Sequence, residues 1–142
     1  MIFKTYISEK DVKKFANSSF DKNPLHINNK IARRQFFGVR ISHGALLIEK
    51  FIIYFFKKKN YIINKFECYF IRPCEINSTI TYKYLYKNSK VKCDIFLSNR
   101  KICFFEFSFD KSFLNEKIQN KKIQNKKINK LSNKIKLKNI SK

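Results

Sequence analysis

Residues 45–56 read Ala-Leu-Leu-Ile-Glu-Lys-Phe-Ile-Ile-Tyr-Phe-Phe, the longest apolar stretch of a 142-residue chain, interrupted only by Glu49 and Lys50. Such a stretch is too short to span a bilayer, so it reads as a buried helix from Ala45 to about Lys57. Beyond Tyr61 the pattern changes to period two. Phe66, Cys68 and Phe70 alternate with Glu67 and Tyr69, and residues 79–86, 91–97 and 102–109 are rich in β-branched and aromatic side chains. Asn88-Ser89 and Asn99-Arg100 are placed to turn hairpins. One apolar helix followed by a run of antiparallel strands predicts an α+β domain whose sheet curls around the helix and supplies the burial the helix needs.

Upstream, Met1 to Ile7 is a short apolar alternation suited to a strand. Ser8 and Asp11 form a capping-box pattern, with Glu9 also in the first turn, predicting a helix through about Ala16. Residues 18–26 should not continue it, because Pro24 lacks an N–H and biases Asn23 toward extended backbone. Asp21 and His26 are therefore expected on or beside an irregular loop. A second short helix fits residues 28–35, and Gly38 permits a turn before His43-Gly44 opens the apolar helix.

With 44% hydrophobic and 16% aromatic residues the chain has ample material for one packed domain. Its N-terminus has no secretory pattern, so a cytoplasmic protein is expected. The four cysteines, 68, 74, 93 and 103, show no C-x-x-C spacing. They read as reduced, small apolar side chains, and no metal site is expected. The net charge is +22 and comes far more from Lys than from Arg, which argues against base-edge or bidentate phosphate readout. Near Leu114 the character changes. Residues 115–142 hold ten lysines and one glutamate in a near-repeat of five that places Ile118, Ile123 and Ile128 at equal intervals. A period of five drifts around a helix, so this segment reads as a low-complexity basic tail to a domain at 1–114. Nucleic-acid or membrane contact by the tail is the less favoured reading.

Chemistry concentrates elsewhere. The chain has two histidines, two glycines and two prolines, and five of these six residues fall between Pro24 and Gly44. Asp21 can accept a proton and His26 can exchange one near neutral pH, a combination suited to adding or removing water beside a carbonyl. A backbone N–H at Gly44, starting a buried helix, could hold an oxygen as negative charge develops on it. A D-x-N-P stretch alone is commonly only a turn, and a lone buried His is commonly structural; their joint occurrence is what points to a site. No G-x-S-x-G elbow, P-loop or dinucleotide-binding glycine pattern is present.

The stretch Ser19 to His26 (S-F-D-K-N-P-L-H), Ala32 to Arg34 (A-R-R), Gly38 to Leu47 (G-V-R-I-S-H-G-A-L-L) and Phe66 to Pro73 (F-E-C-Y-F-I-R-P) together resemble the MaoC-like dehydratases. That group includes the (R)-specific enoyl-CoA hydratases, and the resemblance covers about residues 5–110. It implies a hot-dog fold, a homodimer and an acyl-CoA or acyl-carrier-protein thioester substrate, handled without cofactor. It further implies Asp21 and His26 as the catalytic pair, the Gly44 N–H as the thioester-oxygen donor, Asn23 as a loop-orienting residue and His43 as a supporting residue without a settled role. In the implied mechanism His26 exchanges the proton at Cα and Asp21 handles the water. Two features depart from the pattern. Residues 74–78 (C-E-I-N-S) stand where a Gly-Asp turn is common, and residues 57–64 lack Gly and Pro. The competing readings are a hot-dog thioesterase and a basic RNA- or membrane-binding protein on the same scaffold.

Overall fold

The computed structural model describes residues 1–57 and 61–110, so the boundary near Leu114 and the tail lie outside the described residues. The elements run β1 (Ile2–Ile7), α1 (Glu9–Ser19), α2 (Pro24–Ile27), α3 (Asn29–Ala32), α4 (Gly44–Phe56), β2 (Ile62–Phe70), β3 (Ser78–Lys87), β4 (Lys90–Leu97) and β5 (Arg100–Asp110). The strands form one antiparallel sheet in the order β1-β3-β4-β5-β2, leaving β1 and β2 at its edges.

The period-two pattern puts alternate residues of β3, β4 and β5 into the core with α4. Ile80, Tyr82 and Tyr84 of β3, Val91, Cys93 and Ile95 of β4, and Cys103, Phe105, Phe107 and Phe109 of β5 are buried. The helix answers with aromatic rings. Phe51 is fully buried and meets Tyr82, Tyr84 and Phe105, while Phe55 meets Tyr84, Tyr86, Phe107 and Phe109. Tyr54 stacks on Phe3 of β1, so the sheet contacts α4 along three strands, as the predicted architecture requires. The two charges that interrupt the apolar stretch are accommodated differently: Glu49 is exposed, and Lys50 pairs with Asp11 of α1 at 3.0 Å. Among the described residues no helix is long and apolar enough to cross a membrane.

The cysteines are free thiols, with 74, 93 and 103 buried. Burial raises the pKa of all three, Cys103 to about 12, which leaves them as protonated packing groups.

Three local expectations need correction. The Ser8–Asp11 capping box forms, but α1 continues to Ser19, because the chain leaves it only at Phe20, in left-handed backbone (φ 61°). Pro24 does not bar helix at His26; it opens the one-turn α2 at the first position, where its missing N–H costs nothing, with Asn23 as cap. The last hairpin turns at Ser98-Asn99, one residue earlier than the sequence suggested, with Ser98 at φ 54°. Asn88 and Ser89 form the other turn, both with positive φ, as the favoured two-residue hairpin geometry demands.

Candidate active site

The segment between α1 and α3 is shaped by three successive side-chain caps. Asp21 Oδ1 accepts from the Asn23 N–H at 3.3 Å, Asn23 Oδ1 from the Leu25 N–H at 3.0 Å, and Asn28 Oδ1 from the N–H groups of Lys30 and Ile31. Such short-range bonds substitute for regular structure and fix a loop whose side chains must be aimed. Asn23 is therefore a loop-shaping residue: its side chain and its carbonyl, which accepts from the His26 N–H, bracket the turn that carries His26.

The two imidazoles are held in defined tautomers. His26 Nδ1 lies 2.8 Å from the Ile41 carbonyl, which can only accept, so Nδ1 carries the proton and Nε2 the lone pair. His43 Nε2 lies 2.9 Å from the Asp21 carbonyl and is protonated for the same reason. The rings pack against each other with centroids 3.8 Å apart. Burial is the largest influence on His43 and lowers its pKa, outweighing the bond to Asp21, so the ring is neutral at pH 7. Its Nε2 is also 3.9 Å from Asp21 Oδ2, an approach that is no ion pair while the ring is neutral.

A second wall comes from the far end of β2. Ser42 N–H donates to the Cys74 carbonyl at 2.7 Å and Ile41 bridges Glu75, tying the approach to α4 against the chain that follows Pro73. The loop at 74–78 is built without Gly-Asp: Asn77 takes positive φ (59°) and its N–H donates to the Ile7 carbonyl, while Ser78 Oγ donates to the Glu75 carbonyl. Between these walls lies a cleft of about 430 Å³ whose lining includes His26, Ser42, Gly44, Phe70, Arg72 and Cys74. Gly44 begins α4, and its N-cap His43 makes no side-chain bond to the helix, which leaves N–H groups of the first turn available at the positive end of the dipole.

The structure thus brings Asp21, His26, His43 and Gly44 to one place, with Asn23 capping the turn that carries His26. Asp21 is not in the cleft lining; it stands beside it, about half exposed. Asp21, His26 and His43 offer ligand atoms that all lie within 4.8 Å of one another, the grouping among the described residues that could hold a metal ion. The proton on His43 Nε2 withholds that lone pair from such an ion. Sequence reasoning missed two participants. The Ile41 carbonyl sets the His26 tautomer, a main-chain role no residue type signals. Phe70 covers Gly44, and only its place before Ile71-Arg72-Pro73 hinted at it.

Residues 4–101 match the MaoC like domain family. A 3-hydroxybutyryl-CoA dehydratase of Methylorubrum extorquens is 46% identical over 43 residues, which is 30% of this chain and 27% of that protein. An (R)-specific enoyl-CoA hydratase of Rhodospirillum rubrum is 48% identical over 40 residues, 28% of each. The matched segments thus span little more than a quarter of these curated relatives. Among solved structures, the (R)-hydratase from A. caviae involved in PHA biosynthesis superposes with a TM-score of 0.69 at 21% identity, covering 78% of this chain and 92% of that one. An R-hydratase from Pseudomonas aeruginosa gives 0.68 at 21% identity, covering 77% of each chain. These likenesses establish the hot-dog fold.

Proposed function

Since the chain belongs to the MaoC-like domain family, we propose that it adds or removes water across the 2,3 double bond of an acyl thioester carried on coenzyme A or acyl carrier protein. The observation that carries the reading is the spacing of Asp21 and His26. A carboxylate oxygen of Asp21 and a ring nitrogen of His26 lie within 4.8 Å of each other, a gap that one water making two bonds of about 2.8 Å spans. His26, its Nδ1 proton committed to Ile41, presents an Nε2 lone pair as base, and as imidazolium it returns the proton.

In hydration the water oxygen bonds to Cβ as the π electrons shift toward Cα and the carbonyl oxygen. The water's proton passes to the pair, and a proton returns to Cα. Asp21 orients the water, whose proton passes to His26 Nε2, and the resulting imidazolium delivers that proton to Cα. The thioester oxygen takes the Gly44 N–H while negative charge develops on it, a contribution of about 3–4 kcal/mol for one such donor. Dehydration reverses each step. The apolar lining of the cleft, Leu47 and Ile71 among it, suits an acyl chain, and the exposed cations around the molecule suit a polyphosphate carrier. A second copy of the chain is the partner this reading brings: β2 is an edge strand and exposes Phe66, Tyr69 and Phe70.

The test is to incubate the protein with a short trans-2-enoyl-CoA and follow loss of the conjugated double bond. Asp21→Asn and His26→Ala should each lower kcat by roughly 10²- to 10⁴-fold. Variants as active as the parent would remove the mechanism, and hydrolysis to free thiol in place of hydration would favour a thioesterase.

A further inference from the structure

The acid–base reading leaves one buried group without a task. His43 is 2% exposed, immediately precedes α4, and takes part in none of the steps above. Its contacts nonetheless converge on both members of the pair. Nε2–H donates to the Asp21 carbonyl, and the ring packs on His26 at 3.8 Å on one side and near Phe15 at 5.0 Å. The remaining ring nitrogen, Nδ1, is buried with no hydrogen-bond partner among the described residues. Leaving such a group unsatisfied costs about 1–3 kcal/mol, so an imidazole here is a poor choice for packing alone. What an aliphatic side chain of similar size would lack is the N–H and the flat face, and both are in use.

We infer that His43 is a positioning residue: its Nε2–H anchors the Asp21 backbone while its ring face holds the His26 imidazole, so that one buried side chain sets the separation of the two acid–base groups. The inference rests on the acid–base reading of Asp21 and His26. Asp21 needs an anchor. It lies in the short irregular stretch between α1 and α2, where its N–H makes only a long bond of 3.3 Å to Ser19 Oγ and its exposed carboxylate is held by one equally long bond from the Asn23 N–H. His26 is tied at Nδ1 only, a contact that still permits the ring to tilt about its one bond; the His43 ring packed against it, inclined by 32°, removes that freedom. The anchor also stays out of the proton traffic. Burial and a charge on His26 both disfavour a proton on His43, so the ring behind His26 does not compete for the one in transit.

The test compares the parent with His43→Phe, His43→Gln and Asp21→Asn on a short trans-2-enoyl-CoA, with folding of each followed by circular dichroism. Phe keeps a flat ring against His26 and loses the donor; Gln keeps an amide N–H near the place of Nε2 and loses the ring. His43→Phe should lose roughly 100-fold in kcat with KM within about threefold of the parent, and His43→Gln should regain about tenfold of that loss. A His43→Phe enzyme with the parent's kcat overturns the positioning role and leaves the hydratase reading standing. His43→Gln no better than His43→Phe overturns the anchor through Nε2. A parent with no turnover, indistinguishable from Asp21→Asn, sinks the hydratase reading and this inference with it. Imidazole nitrogen-15 spectra of the parent decide independently, whether or not the variants fold: a proton on Nε2 of His43 at neutral pH is the required result, and a proton on Nδ1 overturns the inference.

Discussion

A Cβ placed on Gly44 would lie 2.4 Å from Phe70 Cε1, well inside van der Waals contact, so the ring of Phe70 occupies the space that glycine leaves open. Two things then depend on one missing methyl group: the first N–H of α4 stays approachable, and an aromatic wall closes over it. Phe70 is 53% exposed, so its ring can swing outward if pushed. Gly44→Ala should therefore keep stability within about 1 kcal/mol of the parent, as alanine is the better helix former and the clash is with a movable ring. The displaced ring should instead raise KM for an enoyl thioester. Denaturant titration and steady-state kinetics on one preparation separate the two effects, and a loss of stability with unchanged KM would show that Phe70 has no part in the cleft.

At the scale of elements, α1 is the part most exposed to pH. Glu9, in its first turn, is hydrogen-bonded by Arg40 and by Lys13, and these two cations hold its carboxyl down at about 2. A carboxyl whose pKa is lower folded than unfolded stabilises the fold at pH values above its unfolded value of 4.5 and loses that stabilisation as pH falls toward 2. Asp11 acts in the same direction: burial would raise it, but bonds from Ser8 and Lys50 hold it low. Urea midpoints measured from pH 6 to pH 2 should fall through this window, and the fall should be shallower in Glu9→Gln. The Arg40 link matters beyond α1, because Arg40 precedes the strand-like residue Ile41 that fixes His26. The capping box behind these bonds was legible in the sequence, since it depends on residues three apart. So was α4, whose Phe51→Ala variant should lose about 3–5 kcal/mol in the same titration. The ends of α1 and α2 were not legible, because Phe20 in left-handed backbone and Pro24 as a helix opener answer to tertiary placement over local preference. Asp21 and His26 could be picked out by their rarity and spacing. The partners that orient them, the Ile41 carbonyl and the His43 ring, are separated from them by 15 and 22 residues and meet only once the chain is folded.

At the scale of the whole molecule, positive charge is densest in the tail, with +9 over residues 115–142 against +13 over the much longer 1–114. Among the described residues three strand cations have carboxylate partners: Lys65 pairs with Glu67, Lys92 with Glu106 and Lys101 with Asp94. In residues 115–142, by contrast, the sequence holds ten lysines and one glutamate. We therefore propose that the domain at 1–114 carries the fold and the reaction while the basic segment adds to the attraction for polyanions. The prediction is made on a chain ending at Leu114. It should unfold at the same urea midpoint as the full chain and turn over a short enoyl thioester at the same rate, because a near-repeat of five offers no continuous apolar face. Retention on heparin should weaken, and the slope of log affinity against log salt should flatten as the phosphate-neutralising lysines are lost. A shortened chain that fails to fold would put core residues beyond Leu114. One that folds but keeps the full salt slope would move the polyanion contact onto the sheet, which would favour the nucleic-acid reading over the enzymatic one.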